Sequence, residues 1–196
     1  GPWRSLPALV TGHTSDGAPL RDGHHRHLAF VADLPRSRLL VIAPHQLSHK
    51  ALFGGERDGL KLVEAALTDF DRLAAGRAGM LHLEPATPNL AEDALCAESH
   101  VWQSVTHYRP TRHAKGAVTE ALVADVRTEV VRLGLPRPEV EILRVHQGLK
   151  GGISASLRLR FPASVRGPLI LGRTRHLGGG VFAGEASASS DEQSTG

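Results

Sequence analysis

The sequence predicts an α+β protein of two tandem halves, each laying one long helix against antiparallel strands, with the first half atypical. Three observations carry this. Two amphipathic stripes occur at 57–75 and 116–133, runs of strand length flank both, and a proline-bearing stretch at 86–94 separates them. The first half reads strand, strand, helix, strand, which is what remains of a βαββαβ unit whose first strand and helix are shortened or lost. The second half carries the pattern nearly complete, so both halves read as ferredoxin-like (RRM-like) units. The expected boundaries are 3–90 and 95–184. Residues 185–196, rich in Ser, Ala, Asp and Glu, are expected to be disordered. Gly1-Pro2 reads as the scar of a cleaved expression tag.

Taken in order, residues 3–11 form an apolar stretch broken by Pro7 that predicts a short strand into the turn at 12–17. Arg21-Asp22-Gly23-His24-His25-Arg26-His27 runs into the apolar strand 28–31, and a turn at 35–38 leads to a second apolar strand at 39–43, which together predict a hairpin. His45 and His49 follow in a polar stretch and read as solvated side chains. Leu60, Val63, Leu67, Phe70 and Ala74 recur at helical steps and predict one stripe of a helix ending at Gly76. A short strand at 80–83 closes the half.

In the second half, residues 100–107 alternate around Trp102 and Val105 as a strand, and 108–115 form a basic connector. Val118, Leu122, Val126, Val130 and Leu133 predict a helix stopped by Gly134 and Pro136. Strands follow at 140–145 and 156–161. In the latter, Leu157, Leu159 and Phe161 alternate with Arg158 and Arg160, predicting one buried and one basic face.

Composition bounds the function. The chain of 196 residues is 41% hydrophobic and 22% charged, which fits one large or two small cores. A net charge of +3, an isoelectric point near 9.5 and twelve histidines suit an anionic partner such as nucleic acid. The single cysteine, Cys96, excludes an internal disulfide and a cysteine-based zinc knuckle and fits a cytoplasmic protein. No run is long and apolar enough to span a bilayer, and no membrane partner is expected. Neither a P-loop nor a GxGxxG fingerprint is present, so no nucleotide cofactor is expected.

The richest stretch is 165–182, VRGPLILGRTRHLGGGVF, which couples an apolar strand to Arg173, Arg175, His176 and the glycines Gly178, Gly179 and Gly180. Exposed backbone N–H groups beside guanidinium forks would cradle phosphate. A glycine-rich turn beside a solvated basic patch uses the same residues. Arg112, Lys115, Arg158 and Arg160 extend the expected RNA-binding surface. The histidines supply the chemistry. RNA is cut without metal when a base takes the 2′-OH proton, an acid protonates the leaving oxygen and a cation holds the developing charge. For a chain that cuts RNA in this way, His13 and His27 are the expected base and acid in unassigned order, with His25 as understudy and Arg21 as the charge stabiliser. The rival reading is a metal-dependent hydrolase. His25-x-His27 with His13 or Asp22 offers ligand types that zinc accepts, but nothing at typical spacing completes the set, so no metal is expected.

The succession TGH, DGxP and HLAFV near the start, WxSVT and RHxK around the connector, GLPRPEVE after the second helix, and VRGPLILGRTRHLGGGVF resembles the type I-U CRISPR-associated fusion proteins of the Csb series. Order and spacing carry the likeness, which spans nearly all of 9–183 and corresponds to their C-terminal, RNA-processing part. That part is a repeat-processing endoribonuclease of the RAMP superfamily, of the Cas-six-like group. The resemblance implies two ferredoxin-like folds side by side, metal-independent cleavage of CRISPR precursor RNA within its repeat, and a glycine-rich loop that contacts RNA. The implied partners are CRISPR repeat RNA and other subunits of a type I effector complex. The turn at 35–38 is shorter than the family's His-Asp-Gly-containing loop. Some superfamily members bind RNA without cutting it, so a non-catalytic RNA-binding subunit is the alternative.

Overall fold

The computed structural model describes residues 8–13, 18, 27–52, 54–86, 89–90, 92–112, 117–148 and 152–185. It is an α+β protein with antiparallel sheets. The chain leads with a single helical turn, α1 (Ala8–Thr11), where a strand was expected, closed by Gly12 N–H donating to the Ala8 carbonyl at 2.8 Å. The expected hairpin is present as β1 (Ala29–Asp33) and β2 (Arg38–Ile42). Ala29, Val31 and Asp33 are buried while Phe30 and Ala32 face out, the period-two signature of a strand with one covered face. Asp33 is held by Arg38 at 2.7 Å, and Arg38 reaches Asp93 at 2.6 Å, which ties the hairpin to the stretch before the second half.

Pro44 then starts a short helix, α2 (Pro44–Ser48), at the position where a missing N–H and a fixed φ cost nothing. The polar stretch expected around His45 is therefore helical. Helix α3 (Gly54–Thr68) ends earlier than its apolar spacing predicts. Phe70 lies past its end and Ala74 belongs to β3 (Arg72–Ala74), which pairs with β4 (Met80–His82) in a separate two-stranded sheet. The pairing of Leu73 with Leu81 captures residues that helical periodicity assigned to the stripe. Nor does α3 lie on a sheet as expected: of its stripe Leu60 and Val63 are only half-buried and Leu67 is 38% exposed, and Leu9 of α1 is the side chain that meets Gly59.

From residue 98 onward strands surround one helix, and the strand expected at 100–107 ends at Ser104. Strands β5 (Glu98–Ser104), β6 (Glu139–Gln147), β7 (Ile153–Arg166), β8 (Leu169–Ile170) and β9 (Val181–Gly184) form one antiparallel sheet of order β6-β7-β5-β9-β8. Helix α4 (Val118–Arg132) joins β5 to β6, which run in the same direction with β7 between them. Its Leu122, Val126 and Val130 are buried against Trp102, Leu157, Leu159, Phe161 and Phe182 of the sheet. Each such side chain contributes about 1.5–3 kcal/mol on burial.

Strands β8 and β9 are covered on both faces. Leu169, Leu171 and Phe182 join the α4 core, whereas Ile170 and Val181 join Ala29, Val31, Leu47 and Leu95 in a second cluster. That second cluster seats the β1–β2 hairpin against the end of the sheet that carries the glycine-rich loop. Among the described residues no helix is long and apolar enough to cross a membrane. The tail beyond Glu185 and residues 1–7 lie outside the described residues.

Candidate functional site

The glycine-rich loop is built for close packing. Between β8 and β9 the chain makes a 3-10 turn at Arg175–Leu177 and then folds Gly178 onto β1. Gly178 has φ of 76°, and a side chain there would come 2.9 Å from the Phe30 carbonyl oxygen; Gly180, at φ of 65°, lies similarly against the Leu171 carbonyl. The expected open row of backbone donors is absent. Gly178 N–H donates to the Arg175 carbonyl, Gly179 N–H to the Thr174 carbonyl at 3.1 Å, and Gly180 N–H to the His107 carbonyl at 3.1 Å. Gly172 N–H is taken by Glu129 at 2.6 Å and Val181 N–H by Thr106 at 2.9 Å. The glycine amides are thus taken, and of the loop's cationic side chains Arg173 is exposed, Arg175 and His176 half-buried.

The packing of Gly178 brings the loop to the early histidines. His27 and His176 lie ring against ring, with centroids 3.5 Å apart. Both donate Nδ1–H to one acceptor, the Leu28 carbonyl, at 3.1 Å and 3.3 Å. The Arg175 Nε–H donates to His176 Nε2 at 3.2 Å, which sets the His176 tautomer from both sides. Gly12 also packs on the His27 ring, since a side chain at Gly12 would come 2.8 Å from His27 Cδ2. His13 follows it, exposed, with its Nδ1–H donated to the Thr11 carbonyl at 2.8 Å. One expected catalytic residue, His27, thus meets one expected RNA contact, His176, and His13 is next to the glycine that touches His27. Arg21, His25 and Lys115 lie outside the described residues.

A buried polar network fixes the basic connector beside this loop. Tyr108 donates its hydroxyl proton to Asp125 at 2.6 Å and lies 3.3 Å from Glu129, four residues further along α4. Asp125 also accepts from the Thr111 backbone and hydroxyl, each at 2.7 Å. Burial pushes the Glu129 carboxyl up from its ordinary value against the opposing Gly172 N–H bond. Burial, with the charges of Glu129 and Asp125, raises the Tyr108 hydroxyl far above its usual range. Arg173 N–H donates to the Arg109 carbonyl at 3.0 Å, so Arg109 and the exposed Arg112 lie on the segment that borders Arg173.

Of the other expected contacts, Arg160 is exposed on β7. Arg158 is engaged: it donates to Gln103 at 2.9 Å and pairs with Glu185 at 2.9 Å. A strand face with carboxylates across from it engages its arginines internally, which alternation along one strand does not reveal.

Two histidine contacts escape sequence reading because they join distant segments. His107 and His146 stack with centroids 3.9 Å apart, and His146 Nε2 lies 3.1 Å from the Ser156 hydroxyl. His45 pairs with the buried Glu56 at 2.8 Å, and burial of the half-buried His49 lowers its pKa. Neither His45 nor His49 is therefore simply solvated. Among the described residues no group of three or more His, Cys, Asp or Glu side chains is placed to hold a metal ion. Compared with models of protein families, with curated proteins and with solved structures, the chain matches none.

Proposed function

We propose that this chain is a metal-independent endoribonuclease that cuts CRISPR precursor RNA within its repeat, in the manner implied by its resemblance to the type I-U fusion proteins. The single observation that carries the reading is the contact of His27 with His176. It joins a proton-transfer side chain to a loop bearing Arg173 and Arg175, beside a connector bearing Arg109 and Arg112. Imidazoles move the protons, guanidiniums hold the phosphate charge, and the 2′-hydroxyl of the RNA is the nucleophile. In this reading His13 and His27 are acid and base.

The sheet order supports the fold implied by the resemblance. The run β6-β7-β5-β9, with α4 crossing from β5 to β6, is the split β-α-β order of a ferredoxin-like unit, with β8 and the glycine-rich loop where a second helix would stand. The first half is then an altered unit reduced to two hairpins and α3. The partners in this reading are repeat RNA and other subunits of a type I effector complex, in the cytoplasm.

The alternative is a non-catalytic RNA-binding subunit, which would use the same arginines without a working base. End-labelled repeat RNA incubated with the protein in EDTA separates the two. The endoribonuclease gives a product pair with a cyclic phosphate and a 5′-hydroxyl, whereas the binding subunit retains intact RNA.

A further inference from the structure

Pro44 opens α2 and leaves the next amide, that of His45, without an intrahelical acceptor. Eleven residues later Glu56, in the first turn of α3 and only 5% exposed, turns its carboxylate to that amide. A buried carboxylate must be paired, and one N–H bond would complete the cap. Glu56 takes a second. The same oxygen, Oε1, accepts from His45 N–H and from His45 Nδ1–H, both at 2.8 Å. With the proton on Nδ1, the lone pair of this imidazole is on Nε2, and the Gln46 side-chain amide donates to it at 2.9 Å. The tautomer is thereby set at both nitrogens, and the acceptor nitrogen lies at the surface beside an exposed glutamine, while the ring is 18% exposed.

A carboxylate that fixes Nδ1–H and leaves Nε2 to accept is the base half of a proton-transfer triad. Its place in the fold matters equally. The last residue of β2, Ile42, is the partner of the first residue of β1, Ala29. His27 lies two residues before that pair and His45 three residues after it, so both leave the same end of the hairpin.

We infer that His45, oriented by Glu56, takes the base role in place of one of the pair His13 and His27, and removes the 2′-hydroxyl proton, so that the pair keeps only the acid role. The inference rests on the endoribonuclease reading. The 2′-OH displaces the Gln46 amide and gives its proton to His45 Nε2. The 2′-oxygen bonds to phosphorus, the P–O5′ bond breaks, and O5′ takes a proton from a protonated imidazole. The products are a 2′,3′-cyclic phosphate and a 5′-hydroxyl, and the base and acid exchange protonation states.

The test uses the full chain and a repeat RNA. His45→Ala should slow single-turnover cleavage by a factor on the order of a hundred or more with unchanged RNA affinity, and added imidazole should restore part of the rate. Glu56→Gln should lower the rate at unchanged KM. Should either variant fold poorly by thermal melt, the wild-type protein still answers: in its nitrogen-15 imidazole spectrum, RNA carrying a 2′-deoxy nucleotide at the cut site should shift His45 Nε2. Cleavage by His45→Ala at the wild-type rate, or an unmoved His45 resonance, ends the role of His45 alone. Wild-type protein that binds repeat RNA and never cuts it ends the endoribonuclease reading, and the base role with it.

Discussion

The Tyr108 hydroxyl donates a 2.6 Å hydrogen bond to Asp125, and that carboxylate in turn holds both the amide and the hydroxyl of Thr111. One buried acid on α4 thus fixes the start of the basic connector, and Glu129, a turn along, fixes Gly172 at the start of the glycine-rich loop. Tyr108→Phe removes the proton that both carboxylates face. The cost should be about 1–3 kcal/mol in chemical denaturation, the range for a buried acceptor that loses its donor, and RNA affinity should fall with it because the connector loosens.

Glu129 makes the stability depend on pH in a defined direction. Its carboxyl is raised in the folded protein, chiefly by burial, so the folded state keeps a proton that the unfolded chain has already released. Stability should therefore fall as pH rises from the ordinary glutamate value through the raised one. Glu129→Gln, which does not titrate, should flatten that part of the profile. Urea titrations at stepped pH measure it, and parallel profiles for the two proteins would show that Glu129 is not the group responsible.

Val126 and Leu67 occupy equivalent places in their apolar stripes and should respond very unequally to charge. Val126 is fully buried between α4 and the sheet, so Val126→Asp should cost more than about 3 kcal/mol by stranding a carboxylate. Leu67, 38% exposed near the end of α3, should tolerate aspartate within about 1 kcal/mol. Thermal melts of both variants test the contrast.

The same contrast shows what the sequence could reveal. In α4 and β7 the hydrophobic period and the burial agree because one partner, the sheet core, satisfies the whole stripe. In α3 the period runs on past Thr68 while the backbone leaves the helix, because Leu73 finds Leu81 across a hairpin. Glycines identify a tight place without saying what fills it: at Gly178 it is the Phe30 carbonyl, and the amides expected to face an anion face protein carbonyls instead. The His27–His176 contact depends on that packing, and the His45–Glu56 pair depends on a helix, α2, that a polar stretch of five residues did not announce.

Since the glycine amides of the loop are occupied, RNA affinity should depend on guanidiniums. Arg173→Ala with Arg175→Ala should weaken repeat-RNA binding and make the dependence of log K on log salt shallower by roughly 0.7 for each phosphate that is no longer neutralised. Arg175→Ala alone also removes the donor to His176 Nε2, so its effect on cleavage should exceed its effect on affinity. A double variant with an unchanged salt slope would leave the loop a packing element only.

The mechanism is tested most directly at His27. Its ring is held by the Leu28 carbonyl, by Gly12 and by His176, so alanine there removes an imidazole whose position the fold specifies from three sides. His27→Ala should slow cleavage by a factor on the order of a hundred or more, as loss of a positioned proton-transfer group does, with little change in affinity. His13→Ala separates the two assignments: a matching loss puts the second role on His13, and an unchanged rate leaves it to His45. RNA with a 2′-deoxy nucleotide at the cut site should bind and stay intact, because the nucleophile is missing, while EDTA should leave ordinary RNA cleavage unchanged. Cleavage that stops in EDTA and returns with zinc would favour the His25-x-His27 metal site, and full activity in both alanine variants would remove His13 and His27 from the chemistry.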